Sequence, residues 1–131
     1  MSVVVDASAV VDLLLNAPPA AWLRDRLLKR DELHAPHLID VEILHALRRH
    51  RLADESAREA IRRHRDLPIT RYPHHWFLPR IWELRGNFTA YDAAYVVLAE
   101  ALGATLVTCD GPLAKAAARF VRVETPLPPH A

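Results

Sequence analysis

The sequence is poor in glycine and in cysteine, and each shortage excludes a class of protein. Its 3 glycines do not form the G-x-x-x-x-G-K-[ST] or G-x-G-x-x-G loops that hold nucleotide phosphates. Cys109 is the only cysteine, so no disulfide can form within the chain and nothing points to an oxidising compartment. We therefore expect neither a nucleotide-driven or dinucleotide-dependent enzyme nor a disulfide-stabilised secreted domain.

Long hydrophobic runs are also missing. The longest uninterrupted apolar stretch, AAYVVLA at 93–99, is too short to cross a bilayer. The opening residues MSVVVDAS have neither the basic leader nor the apolar region of a signal peptide. We expect a soluble, cytoplasmic protein that has no membrane partner.

Hydrophobic patterning predicts the fold class. The 131 residues, 51% of them hydrophobic, suffice for one domain with a sizeable core, and we expect a single domain over 1–131. Short β-branched runs alternate with segments whose apolar residues recur at helical spacing, which predicts an α/β fold: a three-layer α/β/α sandwich around a parallel sheet of four to five strands. The predicted strands are 2–6, 33–36, 68–72, 105–109 and 121–124, and the predicted helices are 7–15, 20–30, 37–52, 57–65, 74–86, 89–102 and 112–120.

Several helix ends have recognisable signals. We expect Pro36 to open the helix 37–52, and Asp54 or Ser56 to cap the helix 57–65. Thr89 is placed to cap the helix 89–102, and Gly103 to end it.

Three aspartates are predicted to meet at one edge of the sheet. Asp6 ends the first strand, Asp110 follows the strand 105–109, and Asp92 lies in the first turn of the helix before that strand. In parallel α/β sheets, helices start at the edge where strands end, and ligands bind at that edge. Each aspartate alone has an ordinary explanation as a cap or turn residue, so only their convergence indicates a functional site.

Converging carboxylates call for a compensating charge. Two of them about 4 Å apart repel by roughly 4 kcal/mol at an effective dielectric of about 20. A divalent cation would offset this repulsion. Because the available ligands are oxygens, with no histidine or cysteine at ligand spacing, Mg²⁺ or Mn²⁺ is favoured over Zn²⁺. Such an ion suits hydrolysis of phosphodiester bonds.

Four segments together resemble a known family. They are VVVDASA (3–9), APHLIDVEILHALRR (35–49), RGNFTAYDAAYVVLAEALGATL (85–106) and LVTCDGPLA (106–114). In this order and spacing they resemble PIN-domain ribonucleases, and the chain is most similar to VapC toxins of bacterial toxin–antitoxin pairs. The resemblance covers nearly the whole chain and implies a PIN-like version of the predicted sandwich.

The resemblance also implies the site. It makes Asp6, Glu42, Asp92 and Asp110 the catalytic and metal-binding acids. Asp6 and Asp92 would be the principal metal ligands, Glu42 would hold or orient a metal-bound water, and Asp110 would act through water or on a second ion. Ser8, Thr89 and Thr108 would give polar support.

Only the family pattern assigns Glu42, and not Asp40, to the site, because helical periodicity does not choose between the two acids. Asp40 has a simple alternative role in the first turn of its helix, near the positive end of the helix dipole.

The activity implied by the resemblance is Mg²⁺- or Mn²⁺-dependent endoribonuclease cleavage, leaving a 5′ phosphate and a 3′ hydroxyl. The protein would act as a toxin that inhibits translation and is neutralised by a VapB-like antitoxin. A homodimer, and a hetero-oligomer with the antitoxin, are expected on the same grounds.

The 17 basic and 16 acidic residues nearly cancel, so the net charge of +1 favours no partner. Locally, however, arginines accumulate between 48 and 65, and Arg48, Arg49 and Arg51 are candidate RNA contacts. A solvated helix face explains them equally well.

Other reactive or aromatic residues receive structural interpretations. The aromatic segment HHWFLPRIW (74–82) is expected to serve core or dimer contacts rather than to stack RNA bases. The 8 histidines form no H-x-x-x-H or H-E-x-x-H pattern and are expected at the surface or at caps. Cys109 is expected to be a buried strand residue and not a nucleophile.

The sequence allows two alternatives to a ribonuclease: a phosphatase and a silent binding module. A phosphatase of the haloacid dehalogenase type would need a second aspartate two positions after Asp6, where this chain has Ser8. A catalytically silent PIN fold that binds RNA or a partner would have no reason to keep an unneutralised acidic cluster. The phosphatase therefore fits the sequence poorly, and the silent PIN fold remains the alternative to a ribonuclease.

Overall fold

A computed structural model describes residues 1–28 and 32–126, and its centre is a parallel sheet. The sheet has five strands in the order β3-β2-β1-β4-β5, and every neighbouring pair is parallel. The α/β class and the predicted parallel sheet of four to five strands are therefore confirmed. The strands are β1 (Ser2–Val5), β2 (Glu32–Pro36), β3 (Ile69–Tyr72), β4 (Thr105–Val107) and β5 (Val123–Glu124).

Helices connect successive strands and cover the sheet. Helix α6 packs on the central strands, while α1 packs against α2, α3 and α4. A 3₁₀ turn over His75–Phe77 precedes α5. The helices are α1 (Ala7–Leu14), α2 (Ala20–Leu27), α3 (Ile39–Arg49), α4 (Asp54–Asp66), α5 (Leu78–Glu83), α6 (Ala90–Leu102) and α7 (Gly111–Ala117).

The core explains why these segments take these forms. Val3, Val4 and Val5 of β1 are all fully buried, as expected for a central strand covered on both faces. The apolar run that follows Asp92 is buried along α6 at 93–99. The strand and the helix that carry candidate site residues are therefore anchored by the core itself.

Several predicted boundaries differ from the structure. Pro36 ends β2 instead of opening a helix, and α3 begins only at Ile39. The predicted helix 74–86 is in fact a 3₁₀ turn over His75–Phe77 followed by α5. Pro79 has no N–H to donate to the preceding turn, so it lies in the first turn of α5, which starts at Leu78.

The predicted caps of α4 are wrong. Its N-cap is Ala53, which has no capping side chain, and Asp54 already lies in the first turn. The predicted helix 20–30 is present as α2, but its last two residues lie outside the described residues.

No helix in the described ranges, 1–28 and 32–126, is both long enough and apolar enough to cross a membrane.

The ends of α6 match the sequence signals. The Thr89 side chain accepts a hydrogen bond from the Asp92 N–H at 3.1 Å, and Gly103 ends the helix in the left-handed region with φ of +61°. Both predicted boundary residues are confirmed.

Replacement of Gly103 by alanine should lower the free energy of unfolding by about 1 kcal/mol, since a Cβ disfavours the left-handed conformation. A Cβ at Gly103 would meet no atom within 4 Å, so no steric clash adds to this cost. Urea unfolding measures the change. Gly86→Ala is the matched control, because Gly86 also has open space around it but no positive φ. Equal losses in the two variants would contradict the conformational explanation.

Candidate active site

Asp6 and Asp110 lie at the carboxyl ends of adjacent strands. β1 and β4 pair in parallel with Val5 opposite Val107, so the residues that follow these strands emerge side by side. Both aspartates cap the helices that begin there: Asp6 accepts the Ala9 N–H at 3.0 Å, and Asp110 accepts the Leu113 N–H at 3.0 Å. The ordinary capping role considered from the sequence is thus real for both residues, and it places both carboxylates at one edge.

Asp6 is a buried carboxylate held by two hydroxyl groups. Ser8 donates to Oδ1 at 2.8 Å, Thr108 donates to Oδ2 at 2.6 Å, and only 5% of Asp6 is exposed. Burial raises the pKa of Asp6 from 3.8 to about 6, although hydrogen bonds from Thr108, Ala9 and Ser8 act in the opposite direction. The predicted supporting residues Ser8 and Thr108 therefore contact the acid directly.

The two hydroxyl groups also organise the loop after β4. The Ser8 oxygen accepts the Cys109 N–H, and the Thr108 oxygen accepts the Asp110 N–H, each at 3.0 Å. Each hydroxyl thus joins Asp6 to a backbone N–H of the segment that carries Asp110.

Asp92 completes the edge from the start of α6, where Thr89 accepts its backbone N–H. Burial raises the pKa of Asp92, and the negative charges of Asp110 and Glu42 raise it further. The carboxylates predicted from the sequence to converge are thus close enough to repel one another.

The structure places Glu42 and Asp40 on different sides of α3. Glu42 accepts a hydrogen bond from the Tyr95 hydroxyl at 2.6 Å and faces the other carboxylates. Asp40 instead accepts from the Arg71 guanidinium at 2.9–3.0 Å and contacts buried His64 at 2.7 Å. Burial acts to raise the pKa of Asp40. The hydrogen bonds and charges of Arg71 and His64 outweigh burial and keep this pKa below its usual value. Asp40 therefore joins α3 to α4 and β3.

A cavity of about 260 Å³ gathers these side chains. One end is acidic, whereas the wall formed by α3 also carries cationic and imidazole side chains. The lining includes Asp6, Ser8, Asp12, Glu42, His45, Arg49, His50, Asp92, Tyr95 and Asp110.

Several residues that line the cavity were not predicted from the sequence. Tyr95 follows Asp92 by three positions, and His45 follows Glu42 by three, so each shares a helix face with an acid. That spacing was the available signal. Of the three candidate RNA contacts, only Arg49 lines the cavity; Arg48 and Arg51 are exposed elsewhere.

The prediction that all histidines lie at the surface or at caps is wrong. His34 and His64 are only 6% and 5% exposed. A hydrogen bond of 2.8 Å joins Nδ1 of His34 to the Tyr72 hydroxyl. Neither residue lines the acidic cavity.

Cys109 also differs from its prediction, because it follows β4 and is only partly buried. Burial raises the pKa of its thiol to about 12, and Asp12 contributes to the rise. A thiol in this state is a poor nucleophile, in agreement with the expectation that it is not one.

The donor set fits a hard divalent cation. Its ligands would be carboxylate oxygens. Burial, together with neighbouring carboxylates, disfavours the charged forms of Asp6 and Asp92, and a bound cation would favour those charged forms. Within residues 1–28 and 32–126, no three acidic, histidine or cysteine side chains stand close enough to ligate one ion together. This arrangement still suits Mg²⁺, which takes one or two carboxylates and retains several waters.

Without metal, the free energy of unfolding should fall by about 1 kcal/mol between pH 5 and pH 7. An acid whose pKa is higher in the folded state stabilises the fold when protonated, and this contribution disappears as pH rises through about 6. Denaturant unfolding in the presence of a chelator at both pH values measures the change. Asp6→Asn should reduce the pH dependence by this amount, and an identical dependence in the variant would contradict the assignment to Asp6.

Comparisons with known proteins show the family to which this chain belongs. The family model described as "PIN domain" matches residues 3–119. The chain is 48% identical to ribonuclease VapC1 of Mycobacterium tuberculosis over 86% of this chain and 89% of that protein. In structure it is similar to VapC20 of Mycobacterium tuberculosis, a "Sarcin-Ricin loop cleaving toxin", with a TM-score of 0.71, 17% identity, and coverage of 93% of this chain and 98% of that one. It also matches VapBC2 from Rickettsia felis bound to a promoter DNA fragment, with a TM-score of 0.70, 14% identity, and coverage of 95% and 98%. The chain belongs to the PIN domain family, among relatives that are VapC ribonucleases.

Proposed function

We propose that this protein is an Mg²⁺- or Mn²⁺-dependent endoribonuclease that hydrolyses RNA phosphodiester bonds. The observation that carries the proposal is the convergence of four acids from distant parts of the chain on one cavity, with Asp6 buried and Asp92 under repulsion from its neighbours. The similarity to VapC ribonucleases supports RNA as the substrate.

The four acids would divide the work. Asp6 and Asp92 would hold the ion, Glu42 would orient the attacking water, and Asp110 would act through water or on a second ion. When bound, the ion lowers the pKa of water and polarises a phosphoryl oxygen. Ser8 and Thr108 keep the Asp6 carboxylate in one orientation, and Thr89 fixes the first turn of α6 that carries Asp92.

The reaction would be an in-line displacement at phosphorus. The water oxygen forms the new bond to phosphorus, the bond to the 3′ oxygen breaks, and that oxygen leaves with a proton. The products are a 5′ phosphate and a 3′ hydroxyl.

The basic part of the cavity wall would contact the RNA backbone. Arg49 lies about two turns after Glu42 on the same face of α3. Among the described residues it forms no ion pair. Its guanidinium is thus available to a phosphate next to the scissile one, with His45 and His50 beside it as hydrogen-bonding groups. The neighbouring Arg48 and Arg51 would add charge from outside the cavity.

In the cell, the protein would act as a cytoplasmic toxin that inhibits translation. Its partners would be a second copy of the chain and a VapB-like antitoxin, and the structural similarity to a VapBC assembly supports the latter. We propose that residues 1–131 form one PIN domain, since the family match spans 3–119 and one hydrophobic cluster joins β1, α3, α6 and β4.

A catalytically silent PIN fold that binds RNA or a partner is the second candidate. The observation that favours it is the spacing of the acids, since no three of the described side chains approach closely enough to share an ion. The two candidates differ in whether RNA is cut.

Purified protein should cut end-labelled RNA at discrete positions with Mg²⁺ or Mn²⁺, and excess chelator should abolish cutting. Asp92→Asn should reduce the rate by at least about a hundredfold while keeping or raising the free energy of unfolding, because it removes a ligand together with a source of repulsion. Gel analysis of the RNA and urea unfolding of the variant measure the two effects. The silent module would be favoured if wild-type protein, free of antitoxin, binds metal and RNA but does not cut the RNA. If the Asp92→Asn variant is unfolded, Asp92 has a structural role.

Arg49→Gln should weaken binding of single-stranded RNA by about tenfold, because it removes a charged hydrogen bond to a phosphate. It should also reduce the slope of log affinity against log salt by about 0.7. Fluorescence anisotropy in the Asp92→Asn background measures affinity without cleavage. Arg48→Gln is the matched control, since Arg48 is exposed on the same helix but does not line the cavity. Equal effects of the two substitutions would show that the arginines act only as a diffuse charge.

A further inference from the structure

Tyr95 is a buried residue whose hydroxyl group reaches the acidic cavity. Only 1% of the residue is exposed, and its ring lies in the core among the apolar residues of α6. The hydroxyl donates to Oε1 of Glu42 at 2.6 Å, a short distance typical of a hydrogen bond to a charged acceptor. One end of this side chain is therefore anchored by packing, and the other end holds an acid of the candidate site.

Glu42 depends on this contact more than the other acids depend on theirs. Asp6 has a short side chain and three donors, whereas Glu42 has three rotatable bonds and extends from the first turn of α3. Among the described residues, Tyr95 is the only side chain that donates to the Glu42 carboxylate. Ordering a free glutamate side chain costs conformational entropy, and Asp92 repels this carboxylate in addition.

The position of Tyr95 in the chain links it to Asp92. The two residues are three apart on α6, so they project from the same face of the helix. Helix α6 packs on strands β1, β2 and β4, whereas α3 packs mainly against α1. The hydrogen bond between Tyr95 and Glu42 therefore connects a helix fixed to the sheet with a helix that belongs to another layer.

We propose that Tyr95 is a positioning residue, whose hydroxyl fixes the Glu42 carboxylate relative to Asp92 so that Oε2 stays available to the reacting water. This inference rests on the role of Glu42 in the proposed function. Tyr95 does not touch the RNA; it acts through Glu42.

The hydroxyl is a hydrogen-bond donor at neutral pH, where an ordinary tyrosine is already protonated. Burial raises the pKa of Tyr95 far above its ordinary value, and the negative charges of Glu42, Asp6 and Asp92 raise it further. The phenol thus stays protonated and remains a donor.

The direct test is a pair of crystal structures, Tyr95→Phe and Tyr72→Phe. The Tyr72 hydroxyl also makes a 2.8 Å hydrogen bond, to His34, but it lies outside the cavity, so the control loses a comparable bond elsewhere. In Tyr95→Phe we expect the Glu42 carboxylate to leave its position or to spread over several rotamers, while Asp6 stays in place. In Tyr72→Phe, Glu42 should be unchanged. An unmoved, well-ordered Glu42 in Tyr95→Phe would overturn the proposal.

A double-mutant cycle separates positioning from a general structural role. Tyr95→Phe should slow RNA cleavage by about 10–100-fold at saturating metal and RNA, and Tyr72→Phe should change the rate by less than about twofold. In a Glu42→Gln background, Tyr95→Phe should cause less than about a twofold further loss, because the group on which it acts is already disabled. Equal losses in both backgrounds would overturn the proposal. If wild-type protein cuts no RNA, the proposed function fails, whereas the crystallographic comparison still decides whether Tyr95 holds Glu42.

Discussion

The burial of one carboxylate, Asp6, is the constraint on which the rest of the site depends. Taking this group out of water raises its pKa to about 6, even though three donors favour its charged form. The protein accepts this cost by surrounding the group with hydroxyls and by placing it where β1 passes into α1. Asp110 then adds repulsion to Asp6, and Asp110 and Glu42 both repel Asp92. A bound cation would offset part of this repulsion.

The fold supplies the other acids by different routes, and these routes differ in what holds each carboxylate in place. Asp110 follows a strand adjacent to β1, so backbone pairing determines its place. Asp92 starts a helix whose next turns are buried in the core. Glu42 comes from α3, and only a side-chain hydrogen bond ties its carboxylate to α6. Backbone pairing therefore holds the candidate site where the sheet forms it, whereas a side-chain hydrogen bond holds it where α3 contributes.

The sequence predicted best what strand order and periodicity determine. The alternation of elements was sufficient for the parallel sheet, and residues at strand ends were sufficient to bring Asp6 and Asp110 together. Periodicity could not choose between Asp40 and Glu42, because both lie on the same helix and the choice depends on where Arg71 and Tyr95 lie in three dimensions. Arg49 likewise could not be distinguished from Arg48 by composition, since only the orientation of α3 turns one of them into the cavity. The buried histidines were missed because their partners come from other strands and helices.

The capping roles of Asp6 and Asp110 carry an evolutionary consequence. At these two positions an acid serves the start of a helix as well as the cavity, so its loss would weaken the fold whether or not the protein is active. At Asp92, by contrast, the helix is capped by Thr89, and at Glu42 the fold needs an acceptor for the buried Tyr95 hydroxyl. A descendant that no longer needed the proposed chemistry would be free to lose Asp92 first, while stability kept capping residues at positions 6 and 110. Among relatives, the identity of residue 92 should therefore report on activity more faithfully than those of residues 6 and 110.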